Sequence, residues 1–232
     1  MDPIDKKPMK FDLSGLSVMV AIPVNRDFPW QTVQSLLETV SMLEQKGIRY
    51  RIQVVVGSSI VEVARTKVVH EFLKTDCNRL FMIDSDQTWK AKDAMRLIAL
   101  STKMSVVLAS YPSKMDPPTF MLSPIEGEVL SNEWGCLPIK GIGLGFTIVH
   151  REIIKALSDK APLAKFPSSD LLVPHVFRCD VEDGVFVGED MAFFNDVRAL
   201  GHTVWLDPTV NVGHVGGKEY GGSIMDAIRR LD

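Results

Sequence analysis

The stretch Leu80-Phe81-Met82-Ile83-Asp84-Ser85-Asp86-Gln87 limits what this chain can fold into more than any other segment. Four large apolar residues run directly into two carboxylates separated by one small residue. That is the pattern of a buried parallel strand delivering acidic side chains to its carboxyl end, where open α/β sheets bind their ligands. In an extended segment, side chains two apart point to the same side, so Asp84 and Asp86 could converge on one hard cation, Mg²⁺ or Mn²⁺, while Ser85 faces away. Such a pair could hold the cation together with a diphosphate. The tripeptide is short, however, and it reads equally as a strand end at Asp84 followed by a helix cap at Asp86, with no metal.

The flanking pattern supplies context. An apolar run at 18–22 ends in the polar loop Pro23-Val24-Asn25-Arg26-Asp27. Residues 31–46 carry apolar positions at Val33, Leu36, Leu37, Val40 and Leu43, a helical stripe closed by Gly47. A strand is expected at 50–56. Ser58 or Ser59 then caps a helix whose buried face would be Ile60, Val63, Ala64, Val68 and Phe72. A helix over 91–103 and a strand over 106–111 follow the acidic stretch. This alternation implies parallel β-α-β units with right-handed crossovers.

After Tyr111 the texture changes, with Pro112, Pro117, Pro118 and Pro124 punctuating short, hairpin-like segments. They lead to Gly141-Ile142-Gly143-Leu144-Gly145, followed by an apolar strand. The spacing is G-x-G-x-G and no helix opens after it, so this is not a dinucleotide fingerprint. The glycines admit a close approach of backbone or acceptor, or else simply shape a turn. A helix over 152–158 and a strand over 175–178 are expected next. In 187–202, Met191, Phe194, Val197 and Leu200 recur every third residue before Gly201, so Glu189 and Asp190 fall on the first turn of an amphipathic helix. Acids there also suit the helix dipole without any catalytic role. A strand at 203–206 precedes His214, which sits among glycines either as a solvated loop residue or as a metal ligand.

Composition narrows the class. With 232 residues, 46% of them hydrophobic, the chain can core one α/β domain, and nothing forces a second. A net charge of −3 provides no overall basic field for nucleic acid or an anionic membrane. Cys77, Cys136 and Cys179 are odd in number and widely spaced, against a disulfide framework or zinc ribbon and in favour of reduced cytoplasm. The early apolar run is too short for a membrane span.

Together, Asp84-Ser85-Asp86, Glu189-Asp190 and His214, in that order, make the chain resemble the nucleotide-sugar glycosyltransferases of the GT-A fold, particularly family two, while Ala64-Arg65-Thr66 and Tyr111-Pro112-Ser113-Lys114 look similar to small stand-alone glycosyltransferases encoded by phages. The resemblance spans Pro23 to His214. It implies a single GT-A-like (Rossmann-like) domain with a mixed, mostly parallel central sheet flanked by helices. Within it, 1–12 would form a flexible arm, 13–111 the nucleotide-sugar-binding half, 112–214 the acceptor-binding half and 215–232 a tail. It further implies a divalent cation, Mn²⁺ or Mg²⁺, on Asp84, Asp86 and His214, and Asp190 as general base, with Glu189 able to share that role. The donor would be a UDP-sugar held by Pro23, Asn25, Arg26, Arg65, Asp84, Ser85, Asp86 and Lys114, although Arg65 and Lys114 could equally be solvated charges. Gly143 and Gly145 would border the acceptor. That acceptor is a saccharide, a small molecule or a hydroxymethylated pyrimidine in phage DNA, in bacterial or phage-infected cytoplasm. DNA would require a phosphate track, for which Lys140, Arg151, Lys155, Lys160, Lys165, Arg178, Lys218, Arg229 and Arg230 are the candidates, or else scattered solvated charges. A Q-x-x-R-W motif is absent, which favours transfer of single sugars over polymer extrusion. Two other classes remain open. A sugar-phosphate nucleotidyltransferase would use the same acids but usually carries a Gly-rich loop after the first strand, and the third class is a non-catalytic nucleotide-sugar-binding protein.

Overall fold

The structure is a computed structural model that describes residues 10–127, 129–166 and 170–228. The chain begins with β1 (Ser17–Val24), α1 (Trp30–Gln45), β2 (Arg49–Val56), α2 (Val61–Leu73), β3 (Arg79–Ile83), β4 (Gln87–Trp89), α3 (Ala91–Leu100) and β5 (Val106–Leu108). It continues through β6 (Ser123–Pro124), β7 (Leu137–Gly141), β8 (Phe146–His150), α4 (Arg151–Lys160), β9 (Leu163–Lys165) and β10 (Leu172–Pro174). The remainder is β11 (Asp180–Glu182), β12 (Val185–Val187), α5 (Glu189–Ala199), β13 (Val204–Leu206), β14 (Val212–Val215), β15 (Glu219–Tyr220) and α6 (Ile224–Ile228).

Eight strands form the main sheet in the order β2-β1-β3-β8-β5-β13-β7-β6. β1 pairs in parallel with β2 and β3, and β13 with β5, whereas β8 is antiparallel to both its neighbours and β7 to both of its own. Six strands therefore run one way and two the other, a mixed sheet with three parallel and four antiparallel pairings. Alternation along the strands sorts side chains into two cores. Met19, Ala21, Leu80, Met82 and Val149 pack with Val68, Phe72, Ile154 and Phe193 of α2, α4 and α5. Val18, Val20, Phe81, Ile83 and Ile148 pack on the opposite face with Leu36, Leu43 and Leu97 of α1 and α3. The sheet is thus sandwiched between helices, and both faces of β1, β3 and β8 are dry. Among the described residues no helix is long and apolar enough to cross a membrane.

Several local expectations are corrected. Asp84-Ser85-Asp86 is not extended: Asp84 leaves β3, Ser85 and Asp86 form a turn, and the Gln87 amide donates to the Asp84 carbonyl at 3.3 Å as β4 begins. On α2, Ile60 is 57% exposed, whereas Arg65 and Thr66 are buried. The helix turns its polar residues inward because three carboxylates await Arg65 there. Neither Ser58 nor Ser59 caps α2, whose capping position is Ile60. The strand expected at 175–178 is irregular backbone, and the short pairings lie on either side of it, at Leu172–Pro174 and Asp180–Glu182. Of the expected arm at 1–12, residues 1–9 lie outside the described residues.

Candidate active site

Strands β1, β2 and β3 run in parallel, so their carboxyl ends open on the same edge of the sheet. The loops there bring Pro23 and Asn25, Ser58 and Ser59, and Asp84, Ser85 and Asp86 around one cavity of about 350 Å³. Arg65 of α2, Glu189 and Asp190 at the start of α5, Tyr111 and His214 of β14 complete its wall. Arg26 is exposed on the same loop as Asn25 but is not part of this wall.

Arg65 is the electrostatic centre. It is 4% exposed, and its Nη1 donates to Glu189 Oε1 at 2.6 Å and to Asp190 Oδ1, while Nη2 donates to Asp84 Oδ1 at 3.2 Å. Burial opposes the guanidinium charge, but Asp84, Asp190 and Glu189 outweigh it and hold Arg65 protonated. The reverse applies to Asp190. Burial, reinforced by the like charges of Glu189 and Asp84, outweighs Arg65 and the Leu144 amide and pushes its carboxyl up to about 6. Asp86 differs again: burial works against its ionisation, but hydrogen bonds from His214 and Lys114 bring it down to about 2. Lys114 Nζ lies 2.5 Å from Asp86 Oδ2.

His214 connects the two sides of the site. Its Nδ1 is 2.9 Å from the Pro112 carbonyl oxygen, which can only accept, so Nδ1 is the protonated nitrogen. Its Nε2 then faces Asp86 Oδ1 at 3.3 Å. Nε2 donates to Asp86 when the ring is protonated, and in the neutral ring it stands beside the carboxylate as a second atom able to accept a cation. Asp84 is turned toward Arg65, and among the described residues no three His, Cys, Asp or Glu side chains already form a metal-holding group. Oxygen and imidazole donors side by side nevertheless suit Mn²⁺ or Mg²⁺, and the ammonium of Lys114 against Asp86 marks a cation-accepting position. Behind Asp84 lies Gln87, which is completely buried with neither amide atom hydrogen-bonded.

The two glycines work from behind. A Cβ on Gly145 would come within 2.3 Å of both Asp84 Oδ2 and Gln87 Nε2, and one on Gly143 within 2.0 Å of the Tyr111 hydroxyl. Gly145 also accepts the Asp84 amide at 2.9 Å through its carbonyl. Gly145 therefore makes room for the acidic turn, whereas Gly143 lines a second cavity of about 560 Å³. That cavity shares Tyr111, Asp190 and His214 with the first and is otherwise walled by Lys114, Met121, Leu122, Ile142 and Met191, among others. Ser58, Ser59 and Tyr111 were not among the site residues expected from the sequence, which gave the serines only as helix caps. The signal available for the serines was their position at the carboxyl end of a parallel strand.

The proposed phosphate track is not continuous. Arg151 turns inward and donates to the carbonyls of Phe72, Leu73, Thr75 and Cys77, closing the end of α2. Lys140 pairs with Glu126, Lys165 with Asp170, Arg178 with Asp196 and Lys218 with Asp116. Arg229 and Arg230 lie outside the described residues.

No protein-family model matches this chain, and no curated protein matches it in sequence. Solved structures do. A197 from STIV superposes with a TM-score of 0.54 at 19% identity, over 87% of this chain and 86% of that one. GalNAc-T7, crystallised with UDP, GalNAc and Mn²⁺, superposes with a TM-score of 0.55 at 10% identity, over 87% of this chain and 44% of that one. This chain thus spans less than half of GalNAc-T7. At these identities the likeness is one of fold, and the fold is the GT-A-like α/β architecture expected from the sequence.

Proposed function

We propose that this protein is a metal-dependent glycosyltransferase that moves one sugar from a nucleotide-diphosphate sugar, a UDP-sugar by preference, to an acceptor hydroxyl. The observation that carries the reading is the convergence of Asp84, Asp86, His214 and Asp190, far apart in sequence, on a single cavity at the carboxyl edge of the sheet. Residues 13–111 supply most of that donor cavity, and 112–214 supply most of the adjoining acceptor cavity. The likeness in fold to an enzyme crystallised with UDP, GalNAc and Mn²⁺ supports the same donor nucleotide and metal here.

Asp86 and His214, joined by Asp84, would hold the divalent cation. Once bound, it supplies electrostatic stabilisation of the charge left on the departing diphosphate. The remaining chemistry belongs to the chain. Asp190 accepts the proton of the attacking hydroxyl, and its carboxyl, raised to about 6, is ionised yet basic near neutral pH. Arg65 holds Asp190 and Glu189 in place through Nη1 and screens them from Asp84. Pro23, Asn25, Ser58 and Ser59 border the part of the cavity available to the nucleoside. The paired state of Lys140, Lys165, Arg178 and Lys218 favours a saccharide or small-molecule acceptor over modified DNA.

Calorimetry of UDP with and without Mn²⁺, combined with assay of UDP release from UDP-sugars, tests this reading. Mn²⁺ should tighten UDP binding at least ten-fold, and Asp86→Ala should abolish that gain. Equal UDP affinity under both conditions and no UDP release would overturn the proposal, while pyrophosphate release from a nucleoside triphosphate and a sugar phosphate would assign the chain to the nucleotidyltransferases.

A further inference from the structure

The 560 Å³ cavity beside the donor site has an uneven wall. Apart from Ser123, its polar side chains are already engaged. Asp190 takes a hydrogen bond from Arg65, His214 donates to the Pro112 carbonyl, Lys114 holds Asp86, and Ser113 is bonded to Thr119. The Tyr111 hydroxyl receives the Gly145 amide. The rest of the wall is built on Met121, Leu122, Ile142 and Met191, with the Ser123 hydroxyl among them. A sugar ring set against this apolar surface would surrender water from hydroxyls that find few partners in exchange. An aliphatic body would instead be drawn out of water by the same surface. Two of the four apolar residues are methionines, unbranched side chains that repack around flexible ligands. Met121 lines the cavity yet is 73% exposed, so the apolar wall continues to the protein surface, where a longer chain could leave.

We infer that the acceptor is an alcohol with a flexible aliphatic body, its hydroxyl at Asp190 and its chain along Met121, Leu122, Ile142 and Met191. The role of the hydroxyl rests on the transferase reading, whereas the preference of the cavity for an aliphatic chain does not. In the transfer, the acceptor oxygen forms the new bond to the anomeric carbon, the bond from that carbon to the diphosphate oxygen breaks, the proton passes to Asp190, and the bonding pair leaves with the nucleoside diphosphate.

Octyl β-glucoside and methyl β-glucoside carry the same hydroxyls and differ only in the alkyl chain, so titrating each into the full-length protein below the micellar concentration of the octyl compound isolates the chain's contribution. Octyl β-glucoside should bind at least ten-fold tighter. Met121→Asp should remove most of that advantage while leaving UDP affinity unchanged, because Met121 does not line the donor cavity; if the aspartate variant does not fold, Met121→Gln serves the same purpose. Equal affinity for the two glucosides, or an octyl advantage untouched by substitution at Met121, overturns the inference. If UDP binds normally but the octyl advantage is missing, this inference fails alone; if the octyl advantage holds but no UDP binds, the transferase reading fails and the cavity's preference stands.

Discussion

Arg65 is 4% exposed and shares its guanidinium among Asp84, Glu189 and Asp190, so removing it would strand three partly buried carboxylates in one cavity. Arg65→Met should therefore cost about 3–5 kcal/mol near pH 8 in urea unfolding. The loss should shrink toward pH 5, as protonation of Asp190 removes one uncompensated charge. Asp190 itself makes two further predictions. As the proposed base it would act ionised, so turnover should climb as pH rises through about 6, well above the range of an exposed carboxylate. Asp190→Asn should lower turnover by roughly 10²-fold or more with little change in donor affinity. Stability should move the other way. A carboxyl with a raised folded-state pKa contributes stability that is full below about pH 4 and is lost as pH rises through about 6. Asp190→Asn should thus be more stable than the parent at pH 8, by about 1–2 kcal/mol after allowance for solvent screening, and should show no such advantage at pH 4. A parent more stable than the variant at pH 8 would contradict that origin of the shift. The role of Asp190 was among the expectations from sequence, but its pairing with Arg65 was not, since Arg65 had no feature to separate it from a solvated helix charge. Its partners lie 19 residues away at Asp84 and 125 away at Asp190.

At the scale of elements, the acidic turn between β3 and β4 is shaped from behind by the glycine before β8. Gly145→Ala would push a methyl group to 2.3 Å from Asp84 Oδ2 and Gln87 Nε2. Overpacking of that kind costs about 1–3 kcal/mol, and the displaced Asp84 should weaken Mn²⁺-dependent UDP binding at least ten-fold, which calorimetry and a melting curve would separate. Unchanged metal dependence would show that the turn tolerates the methyl. The elements most legible in sequence were α1 and α5, with a clear period, and the strands β1 and β3, whose continuous apolar runs reflect burial on both faces. The expected strand at 175–178 failed for an intelligible reason. Val176 and Phe177 are buried as irregular backbone beneath α5, where apolar content follows packing rather than strand pairing. Likewise the extended geometry expected at Asp84-Ser85-Asp86 gave way to a turn, because the chain reverses there into a second small sheet, β15-β14-β4, which carries His214 alongside Gln87.

Across the whole molecule, net charge and local pairing agree. The chain carries −3 overall, and several of the basic residues between Lys140 and Lys218 are neutralised by neighbouring acids. Duplex DNA should accordingly fail to bind measurably even at about 50 mM salt, where six phosphate contacts would favour it by about 10³-fold over 200 mM. The architecture itself was legible from the early β-α-β alternation, but the reversed strand in the middle of the sheet was not, because β8 gives a local pattern no different from its parallel neighbours. That strand has a consequence for how the protein is made. β8 fills the gap between β3 and β5, so both keep an unpaired edge until residues 146–150 have left the ribosome. Until then the centre of the sheet cannot close, and the apolar edges of β3 and β5 are open to strands of other chains. β8 thus closes the centre of the sheet, while β5 keeps its other edge open until β13 follows.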